Sequence, residues 1–169
     1  TIMTSSRCMT GTDRIAEVSK KIKVDNYINI QGDEPIFNPN DIKKLIKSTT
    51  KFPREIINGY CRIEKESMFR SGHVPKIVFR NDSKLLYMSR APIPTTKKHK
   101  YVTAWRQVCA YSIPKKALMT FSSIKKKTLL EKIEDCELLR FIELGFEIRM
   151  IKMSNKSVAV DTKEDLRQV

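Results

Sequence analysis

Short apolar runs of strand type alternate with amphipathic helical segments along nearly the whole chain, and that order implies an α/β domain with a largely parallel sheet. Thr12 to Ile22 carries Ile15, Ala16, Val18 and Ile22 near helical spacing, with Thr10 or Thr12 as the cap. Tyr27-Ile28-Asn29-Ile30 reads as a short strand, and Asn38-Pro39-Asn40-Asp41 opens a helix whose Ile42, Leu45 and Ile46 share a face. Ile56 to Ile63 reads as extended, and Lys65 to Arg70 as a short helix broken by Ser71-Gly72. Ile77-Val78-Phe79 and Leu85-Leu86-Tyr87-Met88 flank a hairpin turn. Thr95 to Tyr101 is a polar, basic loop. Val108 to Tyr111 is a further strand, and Pro114 suits the first turn of a helix running to about Ser122. Leu129 to Leu144 is the strongest helical pattern, stopped by Gly145. Strands over Phe146–Ile151 and Val158–Val160, then a helix from Lys163 to Val169, close the order.

Charge alone leaves two readings open. Lys and Arg number 33 against 19 Asp and Glu, a formal net charge of +14. Such a balance fits either a nucleic-acid footprint or a lysine-rich surface. The basic runs Lys97-Lys98-His99-Lys100 and Lys125-Lys126-Lys127 are short and separate, and the aromatics do not alternate with arginine. A nucleic-acid partner is therefore not expected. Cys8, Cys61, Cys109 and Cys136 form no Cys-x-x-Cys pair, which argues against structural zinc. Without a secretion signal, they fit reduced thiols in a cytoplasm. No apolar run reaches the roughly 18–20 residues of a membrane helix, so no membrane partner is expected. The start, Thr1 to Arg7, has neither an apolar signal core nor an initiator methionine and reads as mid-protein sequence.

Three turns carry the chemistry. Gln31-Gly32-Asp33-Glu34-Pro35 follows an apolar strand directly. In an open α/β sheet, ligands sit beyond the carboxyl ends of strands, where a carboxylate can hold Mg²⁺ beside phosphate oxygens. An ordinary acidic turn would look the same. Val158-Ala159-Val160-Asp161-Thr162 again puts a carboxylate at a strand end, although it also reads as a helix cap. Together, Asp33 and Asp161 would form a Mg²⁺ clamp for a nucleotide. Thr10-Gly11-Thr12-Asp13-Arg14 offers backbone N–H groups at a helix start, suited to an anion or a base edge, or simply to capping. Ser89-Arg90 ends a strand where arginine can grip a carboxylate. Glu131, Glu134 and Glu137, three apart, would share one helix face, with Arg140 completing a solvated charge array.

As a set, MTSSRCMTGTDRIAEV, INIQGDEPIFNP, PKIVFRNDSKLLYMSRAPIP, LLEKIEDCELLRFIELG and VAVDTKEDLRQV resemble the 3-deoxy-manno-octulosonate cytidylyltransferases, or CMP-Kdo synthetases, in the same order. The resemblance implies a doubly wound α/β nucleotidyltransferase fold of the nucleotide-diphospho-sugar transferase type. It implies a single domain over residues 1–169 with a hairpin-rich sugar-binding and dimerisation excursion at about 56–111, and a homodimer in the cytoplasm. The implied reaction joins CTP and a 2-keto sugar acid into a CMP-sugar and pyrophosphate for surface lipopolysaccharide synthesis. Asp33 and Asp161 would hold Mg²⁺. Thr10, Gly11 and Thr12 would hold the cytidine. Gln31, Arg90, Gln107 and Glu137 would contact the sugar acid, with Arg90 facing its carboxylate.

Two departures from the family pattern bear on the sugar. Where the family has Arg-His before a Gly-x-Tyr strand, this chain has Arg106-Gln107-Val108-Cys109-Ala110-Tyr111. Gln107 exchanges hydrogen bonds but cannot become cationic. That leaves a related acidic sugar, such as an amino-Kdo or a capsular keto acid, as an alternative substrate. Ser5 also stands where an arginine is often found near the cytosine. The family's opening strand and its glycine- and basic-rich triphosphate loop have no counterpart here, so the expectation is a domain missing its first βαβ segment. This chain alone would then be a weak or inactive, incompletely folded fragment.

Overall fold

The computed structural model describes residues 1–155, 160 and 163–167. Helix α1 (Gly11–Val18) leads to strand β1 (Asn26–Ile30), α2 (Pro39–Lys51), β2 (Ile56–Arg62) and α3 (Glu66–Arg70). Then come the hairpin β3 (Lys76–Phe79) and β4 (Leu85–Ser89), the long β5 (Trp105–Pro114), α4 (Lys115–Ser123), α5 (Leu129–Glu134), α6 (Leu138–Glu143), β6 (Ile148–Lys152) and α7 (Lys163–Leu166). Among the described residues, no helix is long and apolar enough to cross a membrane.

The sheet runs β4-β3-β5-β2-β6, with β1 also on β5. Alternation along the strands gives it two buried faces. Ile56, Tyr111, Ile113, Ile148 and Met150 pack with Ala16 of α1, Leu118 and Phe121 of α4, and Leu139 and Phe141 of α6. Their sequence neighbours Ile57 and Ala110, with Val108 and Cys61, pack on the other face with Leu45 of α2. Helices on both faces make the sheet doubly wound, as expected.

Strand direction differs from the expectation of a mostly parallel sheet. Among the described residues only β2 and β6 pair in parallel. The β1·β5, β2·β5, β3·β4 and β3·β5 pairings are antiparallel. The reason is β5: four strands (β1, β2, β3 and β6) share one direction, but β5 runs back through their middle and turns most contacts antiparallel. The sheet is therefore mixed.

β5 also creates the gap that becomes the site. On one flank its residues 110–114 pair with β1, while Trp105 and Arg106 pair with β3. Between these stretches other groups take up the β5 edge. Gln107 N–H donates to the Pro75 carbonyl at 3.1 Å, Cys109 N–H to Glu34 Oε1 at 2.9 Å, and the Cys109 carbonyl accepts from Gln31 N–H at 3.2 Å. On the other flank, a bulge at Asn58/Gly59 is filled by the Asn58 amide, which donates to the Val108 and Ala110 carbonyls, both at 3.0 Å.

Two helices are shorter than their patterns predict. α1 ends at Val18, where Lys21 and Ile22 N–H both converge on the Val18 carbonyl in a closing turn. The Leu129–Leu144 pattern is not one helix. It breaks at Asp135, which adopts the left-handed conformation (φ 48°). Arg90 stabilises the break, donating from Nε to the Glu134 carbonyl at 2.7 Å and from Nη2 to the Asp135 carbonyl at 3.0 Å. The last helix is seen over Lys163–Leu166. The expected strand at Val158–Val160, apart from Val160, and the Asp161-Thr162 turn lie outside the described residues.

Candidate active site

A cleft of about 970 Å³ opens at the gap along β5, beyond the carboxyl end of β1. It is lined by Thr10, Gly11, Gln31, Asp33, Arg90, Gln107 and Glu137, among others. Five separate stretches of sequence thus converge on one cavity. Thr12 lies buried beneath it. Asp161 lies outside the described residues.

One side of the cleft is built from the start of α1. Thr10 caps the helix: its Oγ1 accepts from Asp13 N–H at 3.2 Å, and its own N–H donates to Asp13 Oδ2 at 3.0 Å. This reciprocal box fixes the turn and leaves other N–H groups at the helix start for partners. One is already used. Thr12 N–H donates to Glu137 Oε2 at 3.1 Å, and Gln31 Nε2 donates to Glu137 Oε1 at 3.2 Å. Gly11 permits this approach, since a Cβ there would stand 3.2 Å from Gln31 Nε2. Burial pushes the Glu137 carboxyl up, against the Thr12 N–H bond that lowers it.

The acidic turn after β1 splits its two carboxylates. Asp33 is exposed to the cleft, and its carbonyl accepts from Val160 N–H at 2.8 Å. Glu34 is buried and holds the β5 edge through Cys109 N–H. An exposed carboxylate is the hard oxygen donor Mg²⁺ takes. Val160, on the neighbouring backbone, directly precedes Asp161 in sequence.

The opposite wall is cationic. Arg90 donates to the carbonyls of Gly72 (2.9 Å), Glu134 and Asp135, and its own N–H donates to Glu134 Oε2 at 2.8 Å. Three of its five N–H donors are committed to these carbonyls, and Nη2 also stands 3.8 Å from Asp135 Oδ2. Lys127 pairs with Asp135 at 2.5 Å and holds that carboxyl below its ordinary value. Lys76 is fully buried, donating to the carbonyls of Ser71 (2.7 Å) and Arg90. Burial, with the nearby Arg90 charge, brings its ammonium down to about 8.

The helix break overturns the expected shared face of three glutamates. Glu131 is buried against Arg140, with Nε–Oε2 and Nη2–Oε1 both 2.6 Å. Arg140 is fully buried as well, stacked on Phe121 and 3.4 Å from Asp13, so this is a core ion pair and not a solvated array. Glu134 accepts from Ser89 Oγ (2.7 Å) and Tyr87 Oη (3.3 Å), and of the three only Glu137 faces the α1 turn. Sequence reading missed Glu34, Arg106 and Tyr111 as lining residues of this cleft. For Tyr111 there was a signal, because it shares strand parity with Gln107.

The family model for cytidylyltransferases matches residues 1–151. A 3-deoxy-manno-octulosonate cytidylyltransferase of Syntrophus aciditrophicus is 34% identical over 99% of this chain and 69% of its own length. One from Geobacter metallireducens is 35% identical over 99% of this chain and 70% of its own. The chain belongs to the 3-deoxy-manno-octulosonate cytidylyltransferase family. A solved structure of CMP:2-keto-3-deoxy-manno-octonic acid synthetase complexed with CTP superimposes with a TM-score of 0.88 at 29% identity, covering 99% of this chain and 69% of that one. An inositol-1-phosphate CTP transferase from T. maritima shares only the fold, with a TM-score of 0.65 at 11% identity. This cytidylyltransferase is therefore a nucleotidyltransferase by family and by fold.

Proposed function

We propose that this cytidylyltransferase couples CTP to a 2-keto sugar acid, Kdo, giving CMP-Kdo and pyrophosphate. The observation that carries the reading is the convergence of Thr10, Gly11, Gln31, Asp33, Arg90, Gln107 and Glu137 on one cleft at the β5 gap. The α1 turn holds the cytidine. Gln31, Arg90, Gln107 and Glu137 contact the sugar acid, whose carboxylate faces the Arg90 guanidinium. The anomeric hydroxyl oxygen attacks the α-phosphorus, forming one O–P bond. The bond to the bridging oxygen breaks, pyrophosphate leaves, and the hydroxyl proton passes to solvent. The protein positions the reactants and neutralises charge, with no covalent intermediate.

Asp33 and Asp161 hold Mg²⁺ in this reading. Its support is the cleft-facing carboxylate of Asp33 and the Val160 N–H bond beside it. When bound, the ion offsets charge on the phosphates. The enzyme is a cytoplasmic homodimer serving lipopolysaccharide synthesis, with the 56–111 excursion forming the dimer contact. A second reading, a related acidic sugar, is favoured by Gln107 standing where the family pattern has histidine.

The test is product analysis. The native gene product, incubated with CTP, Mg²⁺ and Kdo, should form CMP-Kdo detectable by mass spectrometry. Asp33→Asn should abolish it. CMP-Kdo formed equally by Asp33→Asn would overturn the metal assignment, and no CMP-sugar from any sugar acid would overturn the function.

A further inference from the structure

Lys76 begins β3, opposite Ser89 of β4 on one side and Arg106 of β5 on the other. A lysine ordinarily carries its head group out to water. This one is fully buried. A buried ammonium needs oxygen partners, and Lys76 Nζ donates to two, the carbonyls of Ser71 (2.7 Å) and Arg90. Ser71 and Arg90 both line the cleft. Arg90 closes a ring from the other side, because its Nη1 donates to the carbonyl of Gly72 at 2.9 Å, one peptide on from Ser71. Three hydrogen bonds thus make a circuit: Lys76 to the Arg90 main chain, the Arg90 guanidinium to Gly72, and the Ser71 carbonyl back to Lys76. Glu134 completes the grip, with Oε2 accepting from the Arg90 N–H at 2.8 Å. Both polar groups of the Arg90 main chain are therefore held by charged side chains.

We infer that Lys76 is a positioning residue for the sugar acid: its ammonium fastens the Ser71–Gly72 turn to the Arg90 main chain, and so keeps the Arg90 guanidinium set in the cleft to meet a ligand carboxylate. Being buried, Lys76 acts through Arg90 and does not touch the ligand. The turn and the end of β4 belong to separate stretches of chain, and the ammonium is one donor group shared between them. Without it the two can move apart, and the guanidinium loses the fixed place of its Gly72 anchor. A long side chain ordered in advance gives up less freedom when a ligand binds. Lys76 supplies that order from outside the contact itself.

The inference rests on the reading of Arg90 as the partner of the sugar carboxylate, and the test separates the two. Lys76→Met keeps the length of the chain and removes the ammonium. In the native gene product it should raise the KM for Kdo about tenfold, the scale of one hydrogen bond to a charged group, with the KM for CTP and kcat changed by less than about threefold. Residues that act as one unit are not additive, so in an Arg90→Gln background the same substitution should add less than about twofold to the KM for Kdo. Lys76→Gln keeps an amide donor in the same place. If Lys76→Met fails to fold in a thermal melt, the cycle is run with Lys76→Gln, and the same coupling to Arg90→Gln is expected. If the wild type turns over Kdo but the Lys76 variants keep its KM, the inference fails alone. It also fails alone if they raise the KM for CTP in parallel, or raise the KM for Kdo as much without Arg90 as with it. If no sugar acid yields pyrophosphate, the inference falls together with the functional reading.

Discussion

Thr12 and Glu137 lie 125 positions apart and meet through one hydrogen bond of 3.1 Å from the Thr12 N–H to Glu137 Oε2. The same carboxylate accepts from Gln31 Nε2. One side chain thus ties the α1 turn, proposed for the cytidine, to the end of β1, where Asp33 stands. Substituting Glu137→Ala should raise the KM for CTP by about tenfold or more, the scale of a hydrogen bond to a charged group. Steady-state kinetics with varied CTP would measure this.

The same glutamate should show a trade between stability and function. Burial raises its folded carboxyl above the unfolded value. Its contribution to stability is therefore present below the unfolded value and is lost as pH rises through the folded one. Glu137→Gln should leave stability at pH 7 equal or higher, because it removes a buried carboxylate, while still weakening CTP, because the amide keeps one acceptor oxygen where the carboxylate has two for Thr12 and Gln31. Urea denaturation at pH 7 and at pH 5 would check the sign.

Arg140 and Glu131 form the buried pair that fastens α5 to α6. Removing one partner strands the other charge in the core. Arg140→Met alone should cost about 3–5 kcal/mol, while Arg140→Met with Glu131→Leu should recover most of it. Equal losses in the single and double variants, read by urea unfolding, would contradict a paired burial.

Acid should unfold the protein partly through Glu55. Its hydrogen bonds to Arg149 (2.5 and 3.1 Å) hold its carboxyl below the ordinary value, and Lys84 at 2.7 Å adds to this. Asp41 is lowered too: burial opposes, but Ser154 N–H and Oγ prevail. Lowered carboxylates stabilise above their unfolded values, roughly 4, and that stability is lost as pH falls through the folded ones. Glu55→Gln should therefore flatten the fall in melting temperature below pH ~4.5, measurable by a thermal-melt series.

What sequence revealed and what it hid follow a physical line. Asp33, Gln31 and Thr10 were legible because strand ends and helix starts are where backbone geometry gathers ligand groups. The two-faced sheet was legible from alternation. The direction of β5 was not, because its apolar run is the same read either way. The break at Asp135 was hidden as well. It depends on Arg90, which lies 44 positions before Glu134 and supplies donors to carbonyls the helix gives up. Aspartate's tolerance of the left-handed region was the only local sign. The sequence around Lys76 carried no sign of its burial. Its burial depends on the Ser71 and Arg90 carbonyls, which no local pattern reports.

The most direct measurement is pyrophosphate release by the native gene product with Kdo and Mg²⁺, compared across CTP, UTP, GTP and ATP. The expected result is release with CTP alone, lost in Asp33→Asn. Release with UTP or GTP and none with CTP would contradict the cytidylyltransferase assignment of this cleft.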